Sequence, residues 1–191
     1  MFIRLADVRR LLKTAYKGVG LRIGKDKEGI FLTGRKWYMY IFSDNLPKEV
    51  LGEIISLIGV LPVNGEQWLC DKHGQQTEIY QVSGREDVYQ CAMKAQADGH
   101  PVMASNMILM DEYEKEYRVY SAAGELYLVP AEYTVMCNTG NCDSDEEMQG
   151  CFVDKEGWIY WVSSYMAFGI SPYEIEDLDC LLEEIREKAI I

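Results

Sequence analysis

The sequence predicts an α+β protein built of antiparallel β-sheet meanders and about four helices. Three observations carry this. Four segments repeat apolar residues at helical spacing, and two of them open on a capping box, Ser83 with Glu86 and Ser171 with Glu174. The remaining apolar runs have strand length and end on tight-turn residues. Asp-Lys-x-Gly recurs at 26, 71 and 154, so the same turn chemistry is used three times at spacings that fit no repeat. No linker rich in Pro, Gly or Ser breaks the chain. All of 1–191 therefore reads as a single domain, any sub-division falling near 83–101.

The first helix spans 5–17. Leu5, Val8, Leu12 and Ala15 form its apolar stripe, widened by Leu11. Arg9, Arg10, Lys13 and Lys17 fall mostly on the other side, and Gly18 is placed to take a left-handed stop. Strands follow around Leu21, over 30–33 and over 37–42. The last is apolar or aromatic at every position, as in a strand covered on both faces. A second helix starts at Pro47 and carries Val50, Leu51, Ile54, Ile55 and Ile58 to Gly59; this broad face predicts the most buried helix. Strands 66–70 and 77–82 read as a hairpin about 71–74. A third helix runs from the Ser83 capping box to about Ala97, stopped by Gly99. From 102 to 163 the pattern is mostly β, with strands at 107–110, 117–121, 126–129, 133–137, 150–154 and 158–163. The final helix begins at Ser171 and buries Ile175, Leu178, Leu182 and Ile185.

Thirteen tyrosines and four tryptophans argue against disorder. No apolar run approaches the ~18 residues of a membrane helix, and the start lacks a signal-peptide layout. The chain reads as a cytoplasmic protein of a bacterial host cell, with no membrane partner. Its net charge of -12 is unevenly spread. Residues 1–42 hold ten basic and three acidic side chains, +7, which leaves nine and 28 for the rest, -19. Such asymmetry points to charged partners, or to a homo-oligomer in which unlike ends of two copies meet. Ordinary solvated acidic surface gives the same numbers.

Chemistry is thinly marked. The stretch 137–151 joins two strand-like runs and holds three of the six cysteines and four acids in 143–147, as a long exposed loop would. Cys137, Cys142 and Cys151 offer three soft metal ligands, with Cys70, Cys91 or Cys180 as a fourth. Structural zinc wants close cysteine pairs, and only one is present, so unligated thiols and no metal are expected. Asp143, Asp145 and Glu147 alternate as calcium ligands do, but the loop lacks the Gly at the sixth place and the Glu at the twelfth. His73 and His100 sit in turn and loop contexts with no nucleophile motif, and no phosphate loop, GxSxG or HExxH is present. No catalytic residue and no cofactor is assigned.

Binding surfaces are better marked. Glu112, Glu114 and Glu116, the loop acids Asp143, Asp145, Glu146 and Glu147, and Glu183, Glu184 and Glu187 of the final helix are the candidate partner-binding acids. Closely spaced carboxylates imitate phosphate spacing and fit a basic groove. Arg9, Arg10, Lys13 and Lys17 form a short basic stripe; a pI near 4.6 argues against autonomous nucleic-acid binding, so the contact expected of them is a local one made while docked on a nucleoprotein partner. A small, acidic chain with these acid groups, a basic Arg4–Arg10 opening and no catalytic motif resembles the anti-CRISPR and antirestriction inhibitors of phages and mobile elements. The resemblance is one of type. It implies an inhibitor and interaction module that binds a basic nucleic-acid-binding protein or nucleoprotein complex, such as a CRISPR effector nuclease, and blocks access or cleavage. The alternative is a small enzyme or ligand-binding protein using an aromatic pocket near Trp37, Trp158 and Trp161, or the Cys-rich loop.

Overall fold

The computed structural model describes residues 3–78, 88–110, 113–134 and 149–172. Among them are four helices and twelve strands, every paired strand antiparallel, so the fold class is α+β. Helix α1 (Leu5–Lys17) is followed by strands β1 (Leu21–Lys25), β2 (Gly29–Thr33) and β3 (Trp37–Phe42) and by helix α2 (Lys48–Ile58). Strands β4 (Glu66–Asp71) and β5 (Gly74–Glu78) form the next hairpin, before helix α3 (Gln90–Asp98) and the two-residue β6 (His100–Pro101). Then come β7 (Met103–Met110), β8 (Glu116–Ala122), β9 (Glu125–Pro130), the helical turn α4 (Ala131–Thr134), β10 (Gln149–Val153), β11 (Ile159–Val162) and β12 (Met166–Ile170).

Nine strands make one sheet in the order β5-β4-β1-β2-β3-β12-β11-β10-β6, and β7-β8-β9 make a second. The large sheet is closed across its middle by β3 and β12, where Trp37 pairs with Ile170 and Ile41 with Met166. One face packs α1, α2 and the small sheet through Leu12, Ile23, Met39, Trp161 and Phe168. Tyr120 of β8 meets Trp161 edge to face at 6.3 Å. The other face packs α3 through Tyr40, Tyr160, Val88, Ala92 and Ala95. Strand β3 alternates between the two, Met39 and Ile41 to one and Tyr40 to the other, so its continuous apolar run is explained.

The three Asp-Lys-x-Gly segments fold alike. Asp26 Oδ1 accepts the N–H groups of Glu28 and Gly29, Asp71 Oδ1 those of His73 and Gly74, and Asp154 Oδ1 those of Glu156 and Trp158. Each aspartate satisfies turn donors that a tight reversal leaves unpaired.

Several expectations are corrected. Strand β12 is absent from the sequence reading: all five of its residues are buried, so it carries no alternation to read. The expected strand at 133–137 begins instead as the turn α4. Pro130 ends β9 and Ala131 and Glu132 favour helix, while 135–137 lie outside the described residues. Gly18 does not take the left-handed stop; its φ is -95°, and Gly20 turns the chain at φ +103°. Helix α2 begins one residue after Pro47 and is not the most buried helix. It buries Val50, Glu53 and Ile54 and leaves Ile55 exposed, whereas α1 buries Val8, Leu11, Leu12 and Ala15. The Ser83 capping box and the body of the final helix lie outside the described residues.

Candidate functional site

The basic face of α1 is the first candidate. Arg9 and Lys13 are four residues apart and so share one side of the helix. That side lies against α2. Arg9 Nε donates to Glu53 Oε2 at 2.8 Å, and Lys13 Nζ lies 3.3 Å from Glu53 Oε1. Glu53 is buried while both cations are about half exposed. The Arg9 hydrogen bond, helped by Lys13, holds the Glu53 carboxyl below the usual carboxylate range against the upward push of burial. Arg10 donates to the Glu132 carbonyl at 2.8 Å and lies 3.7 Å from Asp7. Together Ala6, Arg9, Arg10, Lys13, Thr14 and Lys17 line a surface trough of about 420 Å³. Four of these six side chains are cationic and none is acidic. The four predicted nucleic-acid-contacting residues thus fall in one place. Sequence reasoning missed Glu53, because α2 looked like an apolar helix and its one inward acid sits 44 positions from Arg9.

A second cavity, about 310 Å³, lies on the α3 face of the large sheet. Its floor spans three neighbouring strands. Tyr38 of β3 and Tyr160 of β11 both sit opposite Gly169 of β12. A Cβ on Gly169 would come 2.6 Å from the Tyr38 ring and 3.0 Å from that of Tyr160, so glycine lets the two rings lean together. Their hydroxyls meet at 2.6 Å. Trp158 stacks on Tyr38 at 4.3 Å. Burial, the main cause, pushes both phenols well above their ordinary range, so both are neutral near pH 7. One hydroxyl proton lies between the two oxygens, and the other is left to donate elsewhere. Helix α3 supplies Cys91, Lys94, Ala95 and Asp98, and the turn between β10 and β11 supplies Asp154, Lys155 and Glu156. At Gly99 a Cβ would collide with the carbonyls of Ala95 and Val153, so this end of the cavity needs glycine.

The expected aromatic pocket near Trp37, Trp158 and Trp161 is not formed as a unit. Trp37 and Trp161 are buried in the core cluster on one face of the large sheet, Trp161 against Tyr120 of β8, and Trp158 lies with the opposite cluster. Adjacent strand residues point to opposite faces, which separates Trp158 from Trp161.

The metal reading has no support among the described residues, where no group of three His, Cys, Asp or Glu side chains is placed to hold an ion. Cys137 and Cys142 lie outside them. Cys70, Cys91 and Cys151 are thiols rather than half-cystines. Cys151 Sγ donates to the Val102 carbonyl at 3.2 Å, and burial pushes its thiol up to about 11. Of the predicted partner-binding acids, Glu114 and Glu116 are described and exposed, with Lys115 over the Tyr117 ring between them. Glu112, Asp143, Asp145, Glu146, Glu147, Glu183, Glu184 and Glu187 lie outside the described residues.

No protein-family model and no curated protein matches the chain. Solved structures do. A DNA polymerase III beta subunit from Eubacterium rectale is similar over 91% of this chain at 9% identity and a TM-score of 0.38. A DNA polymerase sliding clamp from Pseudomonas aeruginosa is similar over 92% at 10% identity and 0.37, and a beta subunit from Streptococcus pyogenes over 91% at 13% and 0.34. The chain spans about 64% of each of those proteins. A likeness at these scores says nothing of what this chain binds. The structures it resembles are polymerase clamps and not nuclease inhibitors, and on that finding the expected CRISPR inhibitor, with its phosphate mimicry, is corrected. Among the described residues no helix is long and apolar enough to cross a membrane.

Proposed function

We propose that this chain contacts the phosphate backbone of a nucleic acid through the exposed face of α1. The observation that carries this is the trough in which Arg9, Arg10, Lys13 and Lys17 stand together with no acid in its lining. Phosphates are bound by clustered cations, each neutralised phosphate releasing counterions. The net charge of -12 does not cancel the patch, because exposed charges are screened beyond ~8 Å at physiological salt. Glu53 and Asp7 also hold three of the four cations in place, so less side-chain entropy is lost on contact.

The test is anisotropy of a labelled 20-base-pair duplex between 50 and 200 mM salt. Contact by all four cations gives a log–log salt slope of about -3.6, roughly a hundredfold loss across that range. Arg10→Gln with Lys17→Gln leaves Glu53 paired and halves the slope to about -1.8. Unchanged affinity and slope in that folded variant, or no binding at 50 mM salt, refutes the proposal.

A further inference from the structure

We infer that the cavity above the Tyr38–Tyr160 pair binds a small organic cation, an ammonium group carried on an aromatic or apolar body. This site lies on the opposite face of the large sheet from α1 and does not depend on the nucleic-acid reading. Its volume of about 310 Å³ is at the small end of ligand sites. The floor is two phenol rings whose hydroxyl oxygens keep lone pairs beyond those used in the Tyr38–Tyr160 bond, and these can accept from an ammonium group. Around that floor stand three carboxylates, Asp98, Asp154 and Glu156. The Asp154 carboxylate is held in place by the Glu156 and Trp158 N–H groups on its Oδ1, so its orientation is set before any ligand arrives. The C-terminal end of α3 borders the same space through Ala95 and Asp98, and a helix C-terminus carries negative partial charge. Lys94 and Lys155 also line the cavity, and against the three carboxylates they leave its lining with a net charge of -1 (two positive, three negative). The net negative lining, the hydroxyl oxygens, the fixed Asp154 carboxylate and the helix end together favour positive charge. The apolar walls, Ala95 and the two rings, take the body of the ligand.

Three probes of one shape separate the possibilities: benzylamine, benzyl alcohol and phenylacetate, titrated calorimetrically into the full chain at low salt. Benzylamine is expected to bind at least about tenfold tighter than the alcohol, with no saturable binding of phenylacetate. Asp98→Asn and Glu156→Gln are each expected to weaken benzylamine about two- to fivefold, the range of a partly exposed ion pair. Lys94→Gln is expected to tighten it by a similar factor. These three positions are exposed and their variants should melt as the parent does, which keeps loss of folding from imitating loss of binding. Preference for phenylacetate or the alcohol, binding of none of the three, or benzylamine binding indifferent to all three variants overturns the inference.

Discussion

Replacing Arg9 and Lys13 together by glutamine strands the Glu53 carboxylate between α1 and α2. Glu53 is 7% exposed and its two oxygens are met by these two cations. Breaking a buried pair from one side costs about 3–5 kcal/mol, because the remaining charge keeps its desolvation penalty. Arg9 and Lys13 are about half exposed, so water reaches the pair and the loss is discounted to about 2–4 kcal/mol. For a chain of this length that is a fall in Tm of roughly 5–15 °C. Each single variant leaves one cation and loses about 1 kcal/mol. Adding Glu53→Gln to the pair removes the stranded charge and brings stability back to within about 1 kcal/mol of the parent. The pH dependence carries the same signature. In the parent the folded Glu53 carboxyl titrates below its unfolded value. Its contribution is therefore full above the ordinary carboxylate pKa of ~4.3 and is lost as pH falls through the lower folded value. In the double variant only burial remains, which raises the folded value and reverses the sign, so that protein gains stability relative to the parent as pH drops from 7 toward 5. Urea titration followed by tryptophan fluorescence measures both effects. A double variant within about 0.5 kcal/mol of the parent, or one that Glu53→Gln does not rescue, refutes the reasoning.

Gly169→Ala places a methyl group against the Tyr38 and Tyr160 rings and is expected to cost about 1–3 kcal/mol, a fall in Tm of roughly 2–12 °C; an unchanged melt would mean the rings yield freely. Cys70 and Cys151, both raised to about 11 chiefly by burial, should react with a thiol reagent at pH 7.5 only on unfolding, and rapid labelling of either in the native protein contradicts their placement.

The features legible in the sequence are those whose cause lies within a few residues. The stripe Val8, Leu12 and Ala15 fixes α1 and its buried side. The Asp-Lys-x-Gly segments fix three reversals, because each aspartate caps donors two to four positions ahead. The run 37–42 announces a strand covered on both faces. The grouping of Arg9, Arg10, Lys13 and Lys17 also follows from helical spacing alone. What the sequence could not decide depends on pairing between distant segments. Met166–Ile170 has no alternation, and only its place between β3 and β11 makes it the strand that closes the large sheet. Glu53 carries no signal in the sequence, and only the packing of α1 on α2 brings Arg9 and Lys13 to its two oxygens. Trp37 and Trp161 went to the core while Trp158 went to the other face, a choice set by strand register and not by residue type. Tyr38 and Tyr160 stand 122 positions apart, and their hydroxyls meet only because the registers of β3, β12 and β11 bring Gly169 between them, with no side chain to hold the rings apart.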